Sequence, residues 1–215
     1  MAYIVNLDVR GKKAVVVGAG AVAARKVKDL LAASAAVTVI APEFCDEIRQ
    51  AASDGKLALL NRKFQRGDLL GAFIAVCATD DEEANREVAE EAMASGCIVN
   101  VVDRPALCGF TVPAALKRGD LTIAVTTEGR CPTLAGLLRE ELAKRYGEEY
   151  GALVTVMGRI RGEMIAQRWE SRRIRESLSE LYRRGILLIV ARRDEKALMA
   201  LVKETCALEP PEPLL

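Results

Sequence analysis

Apolar residues in the first hundred positions fall into short aliphatic runs separated by helical stripes. The run KAVVVG (13–18) predicts a strand ending on glycine. Over 20–33, Val22, the aliphatic stem of Lys26, Val27, Leu30 and Leu31 recur at helical spacing. AVTVIA (36–41) is a second strand, closed by Pro42. A helix over 43–54 stops at Asp54-Gly55. KLALLNRKF (56–64) and AFIAVCATD (72–80) predict a third and a fourth strand. A helix over 81–95 has an acidic first turn, as the helix dipole favours, and ends at Gly96. CIVNVVD (97–103) is a fifth strand. Strands alternating with helices of this length predict an α/β fold with a parallel, doubly wound sheet of the Rossmann type.

Beyond Asp103 the rhythm changes. CGFTVPAAL (108–116) and DLTIAVTTEG (120–129) predict two strands joined by a short link, KRGD. From Pro132 the chain reads as helix, and 150–206 predicts two or three further amphipathic helices. The last segment, EPPEPLL, is proline-rich and expected to be disordered. No internal repeat is present.

Composition narrows the function. Hydrophobic residues make up 51% of the 215 positions, enough for a sizeable core, and aromatics only 4%. The 31 basic and 30 acidic residues nearly cancel, so no global nucleic-acid or membrane signature exists. No two of the six cysteines form a C-x-x-C pair, and the chain has no histidine. That excludes Ser-His and Cys-His catalysis and His-ligated metals, so no metal site is expected. The longest apolar runs are strand-length, and the N-terminus lacks the order of a signal peptide. The expected location is cytoplasmic.

The chemistry begins at Gly18-Ala19-Gly20-Ala21-Val22-Ala23, a G-x-G-x-x-A turn directly after a strand and before a helix. Gly18 permits the tight turn, Gly20 lets backbone amides approach a pyrophosphate, and Ala23 lets helix and strand pack closely. The helix N-terminus adds partial positive charge. The acidic residue expected about 20 positions on would fall near Ile40 or Ala41. Glu43 is the nearby carboxylate; it either reaches the adenosine ribose or caps the next helix. No arginine stands there for a 2′-phosphate, which favours NAD over NADP. Thr79 and Asp80, at the carboxyl end of the fourth strand, face the cofactor side of such a sheet, and the same stretch can cap the following helix. Asn100, a candidate substrate contact, and Asp103 close the fifth strand. Without histidine, a general base must be Asp, Glu, Lys, Tyr or Cys. Asp103 is the best placed, although a plain turn before Arg104-Pro105 fits it equally well.

Four blocks, GAGAVAARK, ATDDEEANREVAEEA, GCIVNVVDRPALCGFTVPA and RGDLTIAVTTEGRCPTLAGLLREEL, together resemble the precorrin-2 dehydrogenase module of siroheme synthases. The resemblance covers about residues 1–146, and more loosely the rest, which is similar to that family's helical dimerisation region. It implies an NAD-binding Rossmann domain over 1–113, a dimerisation segment over 114–146 and a helical domain over 147–215. It also implies contacts from Ala21, Val22, Pro42 and Glu43 to NAD, and an essential aspartate at Asp103. The loop Thr126–Pro132 resembles one usually rich in serine and glycine. Here Glu128 and Cys131 depart from that pattern, while Thr127 keeps a hydroxyl for substrate.

The implied reaction is NAD-dependent oxidation of precorrin-2 to sirohydrochlorin by a homodimer, with the tetrapyrrole in a cleft between the domains. A bifunctional protein that also inserts Fe²⁺ stays open. So does a non-enzymatic NAD-sensing module, which would leave NVVD and the C-terminal arginines unexplained. Between Arg159 and Asp194 lie ten arginines against five carboxylates. They form either a solvated face or a grip on an acidic ligand, since guanidinium groups pair bidentately with carboxylates.

Overall fold

A computed structural model describes residues 3–208 and 213–215. The chain divides into two compact units, Met1–Val112 and Pro113–Leu215. The segment 114–146 falls in the second of these.

The first unit holds five parallel strands: β1 (Lys13–Val17), β2 (Ala36–Ala41), β3 (Ala58–Asn61), β4 (Ile74–Cys77) and β5 (Ile98–Val101). Their order is β3-β2-β1-β4-β5, so the direction of winding reverses between β1 and β4. Three helices accompany them, α1 (Ala21–Ala32), α2 (Asp46–Ser53) and α3 (Glu82–Ser95). The aliphatic runs are explained by burial on both faces. Ala14 and Val16 of β1 pack with Ala23 and Val27 of α1 and Ile48 of α2. Val15 and Val17 pack on the opposite face with Val88, Ala89 and Ala92 of α3.

The third strand is shorter than KLALLNRKF predicts. Beyond Asn61 the chain leaves the sheet edge: the Arg62 guanidinium grips Asp68 through two hydrogen bonds of 2.7 and 2.6 Å, and Phe64 turns into the α3-side core. Val22, expected on the buried face of α1, is 41% exposed in the first turn of that helix. It lies where a ligand at the helix N-terminus would meet it.

The second unit opens with an antiparallel hairpin, β6 (Ala114–Arg118) and β7 (Leu121–Val125), followed by α4 (Pro132–Arg145). The stretch CGFTV is not strand. Pro105–Leu107 form one 3₁₀ turn, the amides of Gly109 and Phe110 both bond to the Val99 carbonyl, and Pro113 has no N–H to give. Four helices follow rather than two or three: α5 (Glu149–Ala166), α6 (Ser171–Arg183), α7 (Ile186–Ala191) and α8 (Glu195–Cys206). The breaks come at Arg168, Gly185 and Arg193, all in left-handed backbone. Leu153, Val156, Ile160 and Met164 of α5 form the core with Leu181, Ile186, Val190, Leu198 and Val202. Gly151 lets α5 approach the hairpin turn, since a Cβ there would lie 3.0 Å from the Arg118 carbonyl.

The expectation of a disordered tail is corrected at its end; residues 209–212 lie outside the described residues. Leu214 is buried, its amide and that of Leu215 donate to the Glu195 carboxylate, and Arg159 donates to the Pro213 and Leu214 carbonyls.

Candidate functional site

The carboxyl ends of β1, β2 and β4 converge on a cleft of ≈ 320 Å³ lined by Gly18, Pro42, Lys63, Phe64 and Thr79 among others. This is the crevice where open parallel sheets bind ligands, at the reversal of winding. The two glycines of the turn differ in what they meet. Gly18 has φ +100, and a Cβ there would sit 2.1 Å from the Ala78 carbonyl oxygen, so only glycine lets β1 and β4 end side by side. Gly20 has φ −82 and ψ −172, an extended backbone any residue adopts, and a Cβ there meets nothing within 4 Å. The fold itself therefore does not require glycine at 20. The space it leaves lies at the first turn of α1.

That turn is electrostatically open. Asp46 and Glu47 occupy the first turn of α2, and Glu82 and Glu83 that of α3, whereas α1 has no acidic residue there and no side-chain cap. Unpaired amides and the positive end of the dipole await an anion. The residues present fit a dinucleotide pyrophosphate on this ground. Ala21 and Val22 are exposed beside it. The Cys45 amide donates to the Ala19 carbonyl at 3.1 Å, tying the segment that carries Pro42 and Glu43 to the glycine turn. Glu43 does not cap α2, which begins from Cys45.

Asp81, rather than Asp80, caps α3. Its carboxylate accepts from the Glu83 and Ala84 amides, and these bonds hold its pKa below the usual aspartate range. Thr79 Oγ1 accepts from the Asp81 amide at 3.2 Å, so its hydroxyl shapes the turn at the rim of the cleft. Asp80 is exposed. Behind this turn lies Asn85, 3% exposed, which the sequence reading missed. Its Nδ2 donates to the Thr79 carbonyl and its Oδ1 accepts from the Cys77 thiol, both at 3.2 Å. Burial pushes that thiol up to about 12. The signal was present: Asn85 stands in one stripe with Val88, Ala89 and Ala92, a polar residue at i of an i, i+3, i+4, i+7 apolar face.

Asn100 and Asp103 separate in role. Asn100 is buried, with Nδ2 donating to the Phe110 carbonyl at 3.1 Å and directed at Cys108 Sγ. The Cys108 sulfur also accepts from the Val101 amide at 3.3 Å. Asn100 thus fixes the loop after β5 from within. Asp103 is exposed on that loop at φ +58, a conformation Asp and Asn tolerate better than most residues. It stands at the carboxyl end of the strand beside β4. Arg104 next to it forms an ion pair with Glu82 at the start of α3, which lowers the Glu82 pKa. Thr127 belongs to the second unit, where its Oγ1 accepts from the Cys131 amide at 3.1 Å ahead of α4. Among the described residues no group of three or more His, Cys, Asp or Glu forms a metal-holding cluster. No helix is long and apolar enough to cross a membrane, again among the described residues.

A family model described as NAD(P)-binding matches residues 5–114, and one described as sirohaem biosynthesis protein central matches 118–145. The chain belongs to the family of that NAD(P)-binding model, which spans just over half of it. The siroheme synthase of Pseudomonas paraeruginosa is 39% identical over 179 residues, covering 83% of this chain and 36% of that protein. That of Nitrosococcus oceani is 35% identical over 200 residues, covering 92% and 42%. The chain therefore spans less than half the length of these curated relatives. Among solved structures, SirC, a precorrin-2 dehydrogenase, matches with a TM-score of 0.79 and 28% identity over 94% of this chain and all of that one. A nicotinamide dinucleotide is the cofactor class that goes with the matched NAD(P)-binding family.

Proposed function

We propose that this chain oxidises precorrin-2 to sirohydrochlorin, with NAD as acceptor, and works as a homodimer. The observation that carries the reading is the acid-free first turn of α1 behind Gly20, an anion site built where the fold alone needs no glycine. The likeness to SirC over its whole length supports the choice of substrate. NAD rather than NADP is favoured by charge. Glu43 follows Pro42 of the cleft lining, Arg62 is committed to Asp68, and Lys63 lies 3.7 Å from Asp81. A 2′-phosphate would meet a carboxylate there and no free guanidinium.

When bound, NAD supplies the acceptor for the hydride that leaves a ring carbon of precorrin-2. The chain's own residues do the rest. The α1 amides and Gly18-Ala19-Gly20 would hold the pyrophosphate, with Val22 and Pro42 beside it. Thr79, held from behind by Asn85, sets the rim of the cleft on β4. Asp103, on a loop fixed by Asn100 and Cys108, takes the proton released as the new double bond forms. Hydride and proton together balance the two-electron oxidation. Orientation does most of the work, because the hydride chemistry belongs to the cofactor. Thr127 is the second unit's hydroxyl for substrate.

The homodimer reading rests on apolar surface in the second unit. Leu134, Leu137 and Leu138 of α4 are 46%, 53% and 38% exposed, and the two-stranded β6–β7 sheet has both edges open. A symmetric pair would cover such a face. Anaerobic incubation of the full chain with precorrin-2 tests the whole reading. Sirohydrochlorin should form with NADH when NAD is supplied and far more slowly with NADP. Absence of NADH refutes the activity, and equal rates refute the cofactor preference.

A further inference from the structure

The second unit contains a groove that the dehydrogenase reading leaves unused. It lies between α5 and α6, with a volume of ≈ 790 Å³, within the range of small-molecule sites. Trp169, Ile174 and Leu178 contribute its apolar floor, while Arg161, Arg175 and Arg183 stand on its rim, and no carboxylate lines it. Five of the ten arginines between Arg159 and Asp194 are engaged. Arg172 pairs with Glu176, Arg183 with Glu180 and Arg184 with Glu204. Arg159 holds the chain end, and Arg173 lies 3.7 Å over the Trp169 ring. On the groove itself, Arg161 and Arg175 have no carboxylate partner among the described residues, and both are exposed beside the apolar floor.

An apolar floor with two guanidinium groups free of carboxylate partners complements a small molecule that joins a hydrophobic ring to peripheral carboxylates. Such a ring would lie on Ile174 and Leu178 beside Trp169, with its carboxylates accepting paired N–H bonds from Arg161 and Arg175. We propose that the α5–α6 groove binds a carboxylated tetrapyrrole. The choice of tetrapyrrole within this chemical class rests on the dehydrogenase reading above; the groove's complementarity to a polycarboxylate ring does not.

Trp169 is the only tryptophan in the chain, so the groove carries its own reporter. The full chain is titrated with a free-base porphyrin octacarboxylate while Trp169 emission is followed, with Trp169→Phe as the optical blank. Saturable quenching is expected. Removing both free guanidinium groups, in Arg161→Gln/Arg175→Gln, should weaken binding by about 10²-fold, roughly tenfold for each charge-assisted contact. Neither arginine makes an ion pair in the described structure, so the variant should keep the wild-type circular dichroism. Absence of saturable quenching overturns the proposal. So does unchanged affinity in the double variant, or displacement by benzenehexacarboxylate at equal strength, which would make the groove a plain anion patch. Loss of dimerisation in the double variant would also overturn it, by making the groove a subunit interface. The porphyrin is not oxidised in this assay, so the two readings fail separately. Binding without NADH formation from precorrin-2 leaves the groove and removes the dehydrogenase; NADH formation without binding does the reverse.

Discussion

Replacing Gly20 by aspartate should separate ligand binding from folding. At this position φ is −82, no atom lies within 4 Å of a built Cβ, and the residue is the N-cap of α1. Aspartate is among the best N-caps and glycine only a few tenths of a kcal/mol worse, so the ligand-free variant should gain roughly that amount. For a chain of this size that raises Tm by about 1 °C. Cofactor binding should respond in the opposite direction. A carboxylate about 4 Å from one pyrophosphate charge, at an effective dielectric of about 20, opposes binding by about 4 kcal/mol. That corresponds to about 10³-fold in Kd, before counting the amides the new side chain would occupy. Calorimetric titration with NADH, and thermal melts with and without NADH, measure both effects. Gly18→Ala is the counterpart: its Cβ would lie 2.1 Å from the Ala78 carbonyl oxygen at φ +100. Left-handed backbone alone costs a non-glycine residue about 1–2 kcal/mol, and the displaced β4 end adds to it. This variant should melt several degrees lower. Wild-type affinity in Gly20→Asp, or a collapse of its stability, would refute the assignment of the two glycines.

Asp103→Asn keeps the shape and the left-handed turn, because asparagine tolerates φ +58 well. If Asp103 is the proton acceptor, turnover should fall by about 10²–10⁴-fold with NAD affinity unchanged. Near-normal turnover would remove it from the mechanism, and a loss confined to metal insertion would reassign it to a chelatase step. Asn85→Ala leaves the Thr79 carbonyl without its donor behind the cleft, and should destabilise the fold by about 1–3 kcal/mol. An unchanged urea midpoint would contradict that role. Alkylation with iodoacetamide should mark exposed Cys131 first and spare Cys77, whose thiol burial pushes up to about 12. At about pH 8 such a thiol is ionised in roughly one part in 10⁴, and only the thiolate reacts. Peptide mapping that finds Cys77 modified early would contradict its burial.

The first unit was legible because its physics is local. Aliphatic runs buried on both faces, Pro42, Gly55 and Gly96 at the element ends, and G-x-G-x-x-A between strand and helix each point to one structure. What the sequence hid depends on partners distant along the chain. Nothing around Asn100 announces that its amide bonds to the Phe110 carbonyl, and nothing in KLALLNRKF shows that Arg62 will leave the sheet for Asp68. The TDD stretch fits a cap at either aspartate, and backbone geometry selects Asp81. In the second unit a mainly helical pattern was visible, but the number of helices was not. The breaks at Arg168 and Arg193 involve no glycine or proline. The arginine excess was plain in the sequence; which arginines are free could be read only after pairing was known.

The central claim is that the glycine turn holds NAD for the oxidation of precorrin-2. Its most direct test is a single-turnover reaction, without oxygen, of precorrin-2 with excess full-length chain and NAD. Nicotinamide and sirohydrochlorin absorbance are recorded together. Wild-type chain should yield one NADH for each sirohydrochlorin, with identical time courses, and Gly20→Asp should yield neither. Sirohydrochlorin appearing without NADH, or at the same rate in Gly20→Asp, would contradict the claim.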